Sequence, residues 1–178
     1  ALESTARYRR STEYMHVIRE LLDGRPVELH GEFVDLVIDP PRVATDGDGC
    51  PPFYFGGLSP AARECAARAA DVFLLWPDVT DRVVAVREEM DDRAATFGRA
   101  LHYGWRSHVI VRETEDEARS AARRLLSKLD DATGDAIRGR SLDAASAGVA
   151  RQAELRESAD DEGYVSRHLW TGIGRARS

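Results

Sequence analysis

The chain has 178 residues, 43% of them hydrophobic and 31% charged, an ordinary globular balance with length enough for one domain and a core. Its 31 acidic side chains outnumber 25 basic ones, and the formal net charge of −6 gives no electrostatic reason to expect nucleic acid or an anionic membrane as partner. No apolar run is long enough to span a bilayer, and the N-terminal ALESTARYRR lacks the apolar region of a signal peptide. Cys50 and Cys65 fit neither a zinc site nor a disulfide framework, so both are read as free thiols and a reducing cytoplasm is the expected location.

From Thr5 to Gly24 the spacing predicts a helix with Tyr14, Val17, Ile18, Leu21 and Leu22 on its buried stripe. PVELHGEFVDLVI alternates around His30-Gly31 and predicts a short hairpin. Asp39 to Pro52 is rich in Pro, Gly and Asp and reads as loop. PFYFGG, Pro52 to Gly57, reads as a short buried strand, and Ser59-Pro60 then places serine at N-cap and proline at N1 of a helix reaching about Ala70. DVFLLW, Asp71 to Trp76, is a further apolar strand. A helix follows from Thr80 to about Phe97, with Val83, Val86, Met90, Ala94 and Phe97 at helical spacing. Tyr103 to Val111 reads as a strand, and Thr114 with Glu117 makes a capping box for a helix striped by Ala118, Ala121, Ala122, Leu125, Leu126 and Leu129.

Short apolar strands alternating with amphipathic helices imply an α/β fold, a parallel sheet or barrel with helices outside. The stretch from Asp130 to Ser178 is rich in Ala, Gly, Ser, Asp and Arg. One helix is expected around Ala144 to Ser158 and mobility elsewhere.

Four features bear on chemistry. FGGLSP, Phe55 to Pro60, turns from a strand into a capped helix; its amides suit a phosphate, yet any such loop favours glycine and an N-cap serine. Trp76 ends a strand, where α/β folds gather ligands, and serves either as the wall of a flat cofactor or as a core or rim aromatic. Arg106 and His108 sit two apart on one face of a strand, with Trp105, Val109 and Val111 facing the helices. A guanidinium buried inside a barrel needs a carboxylate partner or an anionic ligand, and the ligand is favoured. RHLWTGIGRARS near the end is either a lid over an anion or a free terminus. His16, His30, His102 and His168 have no spacing that supports a metal site. No Gly-x-Ser-x-Gly elbow, Walker loop or Gly-x-Gly-x-x-Gly fingerprint is present.

The stretches RYRRSTEYMHVIRELLDG, PPFYFGG, DVFLLW, GWRSHVIVRETEDEA and LWTGIGRAR together resemble the bacterial luciferase-like flavin-dependent monooxygenases, the alkanesulfonate monooxygenases in particular. The resemblance implies a (β/α)8 TIM barrel. It further implies reduced FMN as cofactor, O2 as co-substrate, a separate NAD(P)H-dependent flavin reductase as partner and homo-oligomers. In the alkanesulfonate branch the implied reaction cleaves a C–S bond to give an aldehyde and sulfite. By the same resemblance Gly56, Gly57 and Ser59 fall on the phosphate loop, with Leu58 a departure from its small polar pattern. Trp76 is carried as cofactor-binding. Arg106 and His108 fall on the active-site strand, and Arg177 on the mobile-loop arginine, with Arg175 nearby. Arg106 would bind the sulfonate or developing negative charge, and His108 would hydrogen-bond substrate or flavin oxygen and shuttle a proton. A TIM barrel takes about 250 residues. The resemblance covers helix 4 through strand 7 and the following insertion, so residues 1–178 are expected to form one segment of an incomplete barrel, with 130–178 as a mobile insertion. The alternative is a non-catalytic truncated homologue that binds flavin or acts as an interaction module.

Overall fold

In the computed structural model, which describes residues 3–41, 49–127 and 146–172, the chain divides into two compact units. One comprises Ala1–Leu75 with Val86–Gly104, the other Trp76–Ala85 with Trp105–Ser178.

The first unit opens with α1, Ser4–Leu22, capped by Glu3, whose carboxylate accepts the N–H groups of Thr5 and Ala6. Of the expected stripe, Val17 is buried, while Tyr14 and Ile18 remain half exposed. Val17 packs with Val27 and Val34, and around them lie Leu21, Leu29, Phe33 and Leu36. This cluster seats the hairpin of β1, Val27–His30, and β2, Asp35–Ile38, which pair antiparallel as the alternation predicts. Glu13 of α1 clasps the turn: its carboxylate accepts N–H bonds of 2.9 Å from Glu32, Phe33 and Val34.

A three-stranded sheet follows in the order β3, Tyr54–Gly56; β4, Val72–Leu75; and β5, His102–Trp105. β3 and β4 run parallel, with Phe55 opposite Phe73. β4, central in the sheet, is buried, with Phe73 fully so. The expectation that β3 is buried does not hold. Tyr54 is exposed and Phe55 half-buried, because an edge strand has a neighbour on one side alone.

Helix α2, Pro60–Ala69, presents Ala62, Cys65, Ala66, Ala67 and Ala69 to the core; these small side chains let the helix approach closely. Helix α3, Thr80–Ala95, buries Val86, Met90 and Ala94, one residue per turn. Arg63 on α2 pairs with Glu89 on α3, and Glu89 also accepts from Arg93 at 3.0 Å.

Asp71, just before β4, ties this unit together. Its Oδ2 accepts from the Phe53 N–H and from Arg19 Nη2, both at 2.7 Å, and its Oδ1 accepts from Arg99 Nη2 at 3.2 Å. The Arg19 guanidinium also lies 4.6 Å from the Phe53 ring centre. Burial pushes the Asp71 carboxyl up, but the bonds from Arg19 and Phe53 outweigh it and the net shift is downward.

In the second unit, α4, Glu115–Leu126, begins with both halves of the expected capping box. Ala121 and Ala122 are buried and Leu125 is not. Helix α5, Ala147–Glu157, starts at the N-cap Ser146, close to the expected helix. A hairpin not read in the sequence, β6, Tyr164–Ser166, with β7, Leu169–Trp170, follows it. Ion pairs tie that hairpin to α4: Arg167 to Glu115 at 2.9 Å and Arg123 to Glu162 at 3.2 Å, with the Arg119 guanidinium 4.2 Å from the Tyr164 ring centre. Among the described residues no helix is long and apolar enough to cross a membrane.

Candidate functional site

The β3–α2 turn is built for close approach. A Cβ on Gly57 would lie 2.6 Å from the Cβ of Ala62, so glycine alone lets the chain turn this tightly against the first turn of α2. Ser59 is the N-cap and its hydroxyl accepts the Ala62 N–H at 3.2 Å, while its carbonyl accepts the Arg63 N–H. Pro60 has no N–H. The Ala61 amide precedes the first bond of the helical ladder, so it is the helix-terminal amide suited to an anion. The Ser59 hydroxyl is therefore engaged in capping as well as being a candidate ligand contact.

Tyr8 borders the same turn and is not among the residues that the sequence singled out. Its ring meets Phe55 edge-on with centres 6.1 Å apart, and its hydroxyl lies 3.8 Å from where a Gly57 Cβ would stand.

Trp76 follows the last residue of β4 and is 38% exposed. Its ring lies against Gly148 of α5, where a Cβ would be 3.4 Å from Cζ3. The next residue but one, Asp78, holds Arg151 through two bonds of 2.8 and 2.7 Å.

Arg106 and His108 differ from expectation. β5 ends at Trp105, and residues 106–112 belong to no strand. An extended segment joins a ladder only where a neighbour takes up its N–H and C=O groups, and β5 is an edge with β4 as its one neighbour. Both residues are exposed, and so are Trp105, Val109 and Val111, which were expected to face helices. The cost of a buried guanidinium thus does not apply to Arg106 as it stands. Among the described residues it has no ion-pair partner. A groove of this unit runs between residues 111–113 and the Ser120 and Arg124 face of α4, and neither Arg106 nor His108 lines it. Arg177 and Arg175 lie outside the described residues.

The architecture is α/β, a part of a TIM-type barrel. The crystal structure of riboflavin lyase (RcaE) with modified FMN and substrate riboflavin superposes with a TM-score of 0.68 at 13% identity, covering 99% of this chain and 43% of that one, which establishes the fold. The family model for luciferase-like monooxygenase matches residues 2–173, and the chain belongs to that family. It is 58% identical over 177 residues to sulfoquinovose monooxygenase of Novosphingobium aromaticivorans, covering 99% of this chain and 49% of that protein. It is 44% identical over 178 residues to sulfoquinovose monooxygenase of Agrobacterium fabrum, covering 99% of this chain and 46% of that protein. The chain spans about half the length of these curated relatives.

Proposed function

We propose that this chain serves a flavin-dependent monooxygenase acting on a sulfonated sugar, with reduced FMN as cofactor and O2 as co-substrate. The observation that carries the reading is the 58% identity, along 177 residues, to a sulfoquinovose monooxygenase. Sulfoquinovose is a sugar that bears its sulfonate on carbon. It replaces the simple alkanesulfonate of the sequence reading as the first substrate to try, and keeps the same anionic group.

The β3–α2 turn suits a flavin phosphate because the Ala61 amide stands ahead of the helical ladder at the N-terminus of α2. Gly56, Gly57 and Ser59 would hold that phosphate, and Trp76 would flank the ring system. Bound reduced FMN supplies the electrons that activate O2. In the net reaction the C–S bond breaks and a C=O bond forms on the same carbon. One oxygen atom enters the aldehyde and the other leaves as water, while sulfite departs and the flavin ends oxidised. Arg106 would bind the sulfonate as a fixed cation, and His108 would hold or move a proton at the substrate oxygen. Arg177, within the segment 130–178 read as an insertion, is assigned to the same anion. A flavin reductase as electron-supplying partner, a homo-oligomer and a cytoplasmic location belong to the same reading.

The second reading is a non-catalytic module that binds flavin or acts in an interaction, and the exposure of Arg106 and His108 suits it. Sulfite release from sulfoquinovose, with reduced FMN supplied by a reductase, separates the two. Turnover is expected where the full-length barrel is present, and there Arg106→Ala and His108→Ala are each expected to lower it about a hundredfold while reduced-FMN affinity stays nearly constant. Normal turnover by both variants would remove them from the site. Tight binding of reduced FMN without sulfite from any sulfonate would favour the module.

A further inference from the structure

Three consecutive residues leaving β4 are each gripped by one face of α5. Gly148 lies against the Trp76 ring, Gln152 Nε2 donates to the Pro77 carbonyl at 3.0 Å, and Arg151 straddles the Asp78 carboxylate. Positions 148, 151 and 152 are spaced i, i+3, i+4, so they share a side of the helix. The Asp78 side chain is 11% exposed and also accepts the Val79 N–H at 2.8 Å. Arg151 uses its remaining nitrogen on Glu154 at 2.8 Å. By contrast α5 buries one residue of its own, Leu155. The attachment of this helix therefore rests on a three-point grip, two of its points polar, more than on burial of its own apolar residues. Yet Trp76 keeps 38% of its surface exposed, so its ring is oriented by α5 without being absorbed into a core.

We infer that α5 is a positioning clamp for Trp76, latched by Arg151 on Asp78, and that the latch orients the ring for contact with the flavin. The inference rests on the flavin reading of the proposed function. Arg151, Gln152 and Asp78 are positioning residues: they act through Trp76. A carboxylate taken from water holds its cation firmly, and two parallel bonds fix orientation as well as distance. Lysine at 151 would keep the charge and lose the fork.

The test uses protein labelled with 5-fluorotryptophan, in which the Trp76 resonance is the one removed by Trp76→Phe. Arg151→Ala and Gln152→Ala are expected to shift and broaden that resonance while those of Trp105 and Trp170 stay in place. They are also expected to weaken reduced-FMN binding about tenfold, with Arg151→Lys between them and the wild type. Glu154→Ala, which removes only the outer partner of Arg151, is expected to leave both readouts within about twofold. A Trp76 resonance unmoved in Arg151→Ala and Gln152→Ala overturns the clamp. So does a movement of all three resonances together, which marks general loosening. A moved Trp76 with unchanged FMN affinity, in a protein that binds FMN, overturns its role at the site. If the wild type binds no reduced FMN, the flavin reading falls, and the resonances still judge the clamp.

Discussion

The two units of this chain are held together by different forces. The first buries most of the apolar side chains, Ala62, Ala66, Phe73, Val86, Met90 and Leu101 among them. The second, among the described residues, contributes only Ala121, Ala122 and Leu155 to the buried apolar side chains, and its elements are joined by Arg151–Asp78, Arg167–Glu115 and Arg123–Glu162. Apolar burial is non-directional and tolerates little volume change, whereas a charge pair is directional and breaks locally. The comparison teaches that the first unit should fail as a whole and the second piece by piece.

The strongest way to break that contrast is Phe73→Ala. Phe73 is fully buried in the central strand, so the loss is expected to be about 3–5 kcal/mol, read by denaturant unfolding. A loss under about 1 kcal/mol would mean that β4 is not the centre of the core. Arg151→Ala comes next. It leaves the Asp78 carboxylate without its main partner, but Arg151 is partly solvated, so about 1–3 kcal/mol is expected. Hydrogen exchange should place that loss in α5 and spare β4; faster exchange throughout would dissolve the distinction between the units.

Acid sharpens the same comparison. Asp71 and Asp78 both titrate below their ordinary value of 3.8, since in each case bonded arginine and a backbone N–H outweigh the upward push of burial. The unfolded chain then binds more protons than the folded one between the lowered and the ordinary value, so stability falls with falling pH across that window. The contribution is complete above about pH 5 and gone below the folded value. Asp71→Asn should flatten the acid limb of a stability–pH curve for the first unit; an unchanged limb would assign acid sensitivity to other groups. The smallest effect is expected from Ser59→Ala, about 1 kcal/mol through the lost cap of α2. Reduced-FMN affinity measured on the same variant tells whether the hydroxyl serves the ligand as well as the helix.

Much of the fold was legible because its signals are local. Ser59-Pro60 and the Thr114–Glu117 box mark helix starts through bonds made within three residues. The β1–β2 hairpin follows from alternation, and β4 from an unbroken apolar run. Tyr103 to Val111 misled because its composition suits a strand, whereas a ladder also needs a neighbour, and none extends β5 past Trp105. The candidate site was legible as residue types at FGGLSP, Trp76 and Arg106–His108. Tyr8 and the α5 grip on residues 76–78 were not, since their partners lie tens of residues away in sequence.

The sequence by itself determined the family, the helix starts and the order of strand and helix in the middle of the chain, since each is encoded in short windows of spacing and capping. Only the tertiary structure decided which side chains are exposed, which strand ends where, and which charges meet. Those outcomes depend on solvent exclusion and hydrogen-bond partners supplied by distant parts of the chain. Asp78 reads as one more loop carboxylate until Arg151, 73 residues on, closes over it.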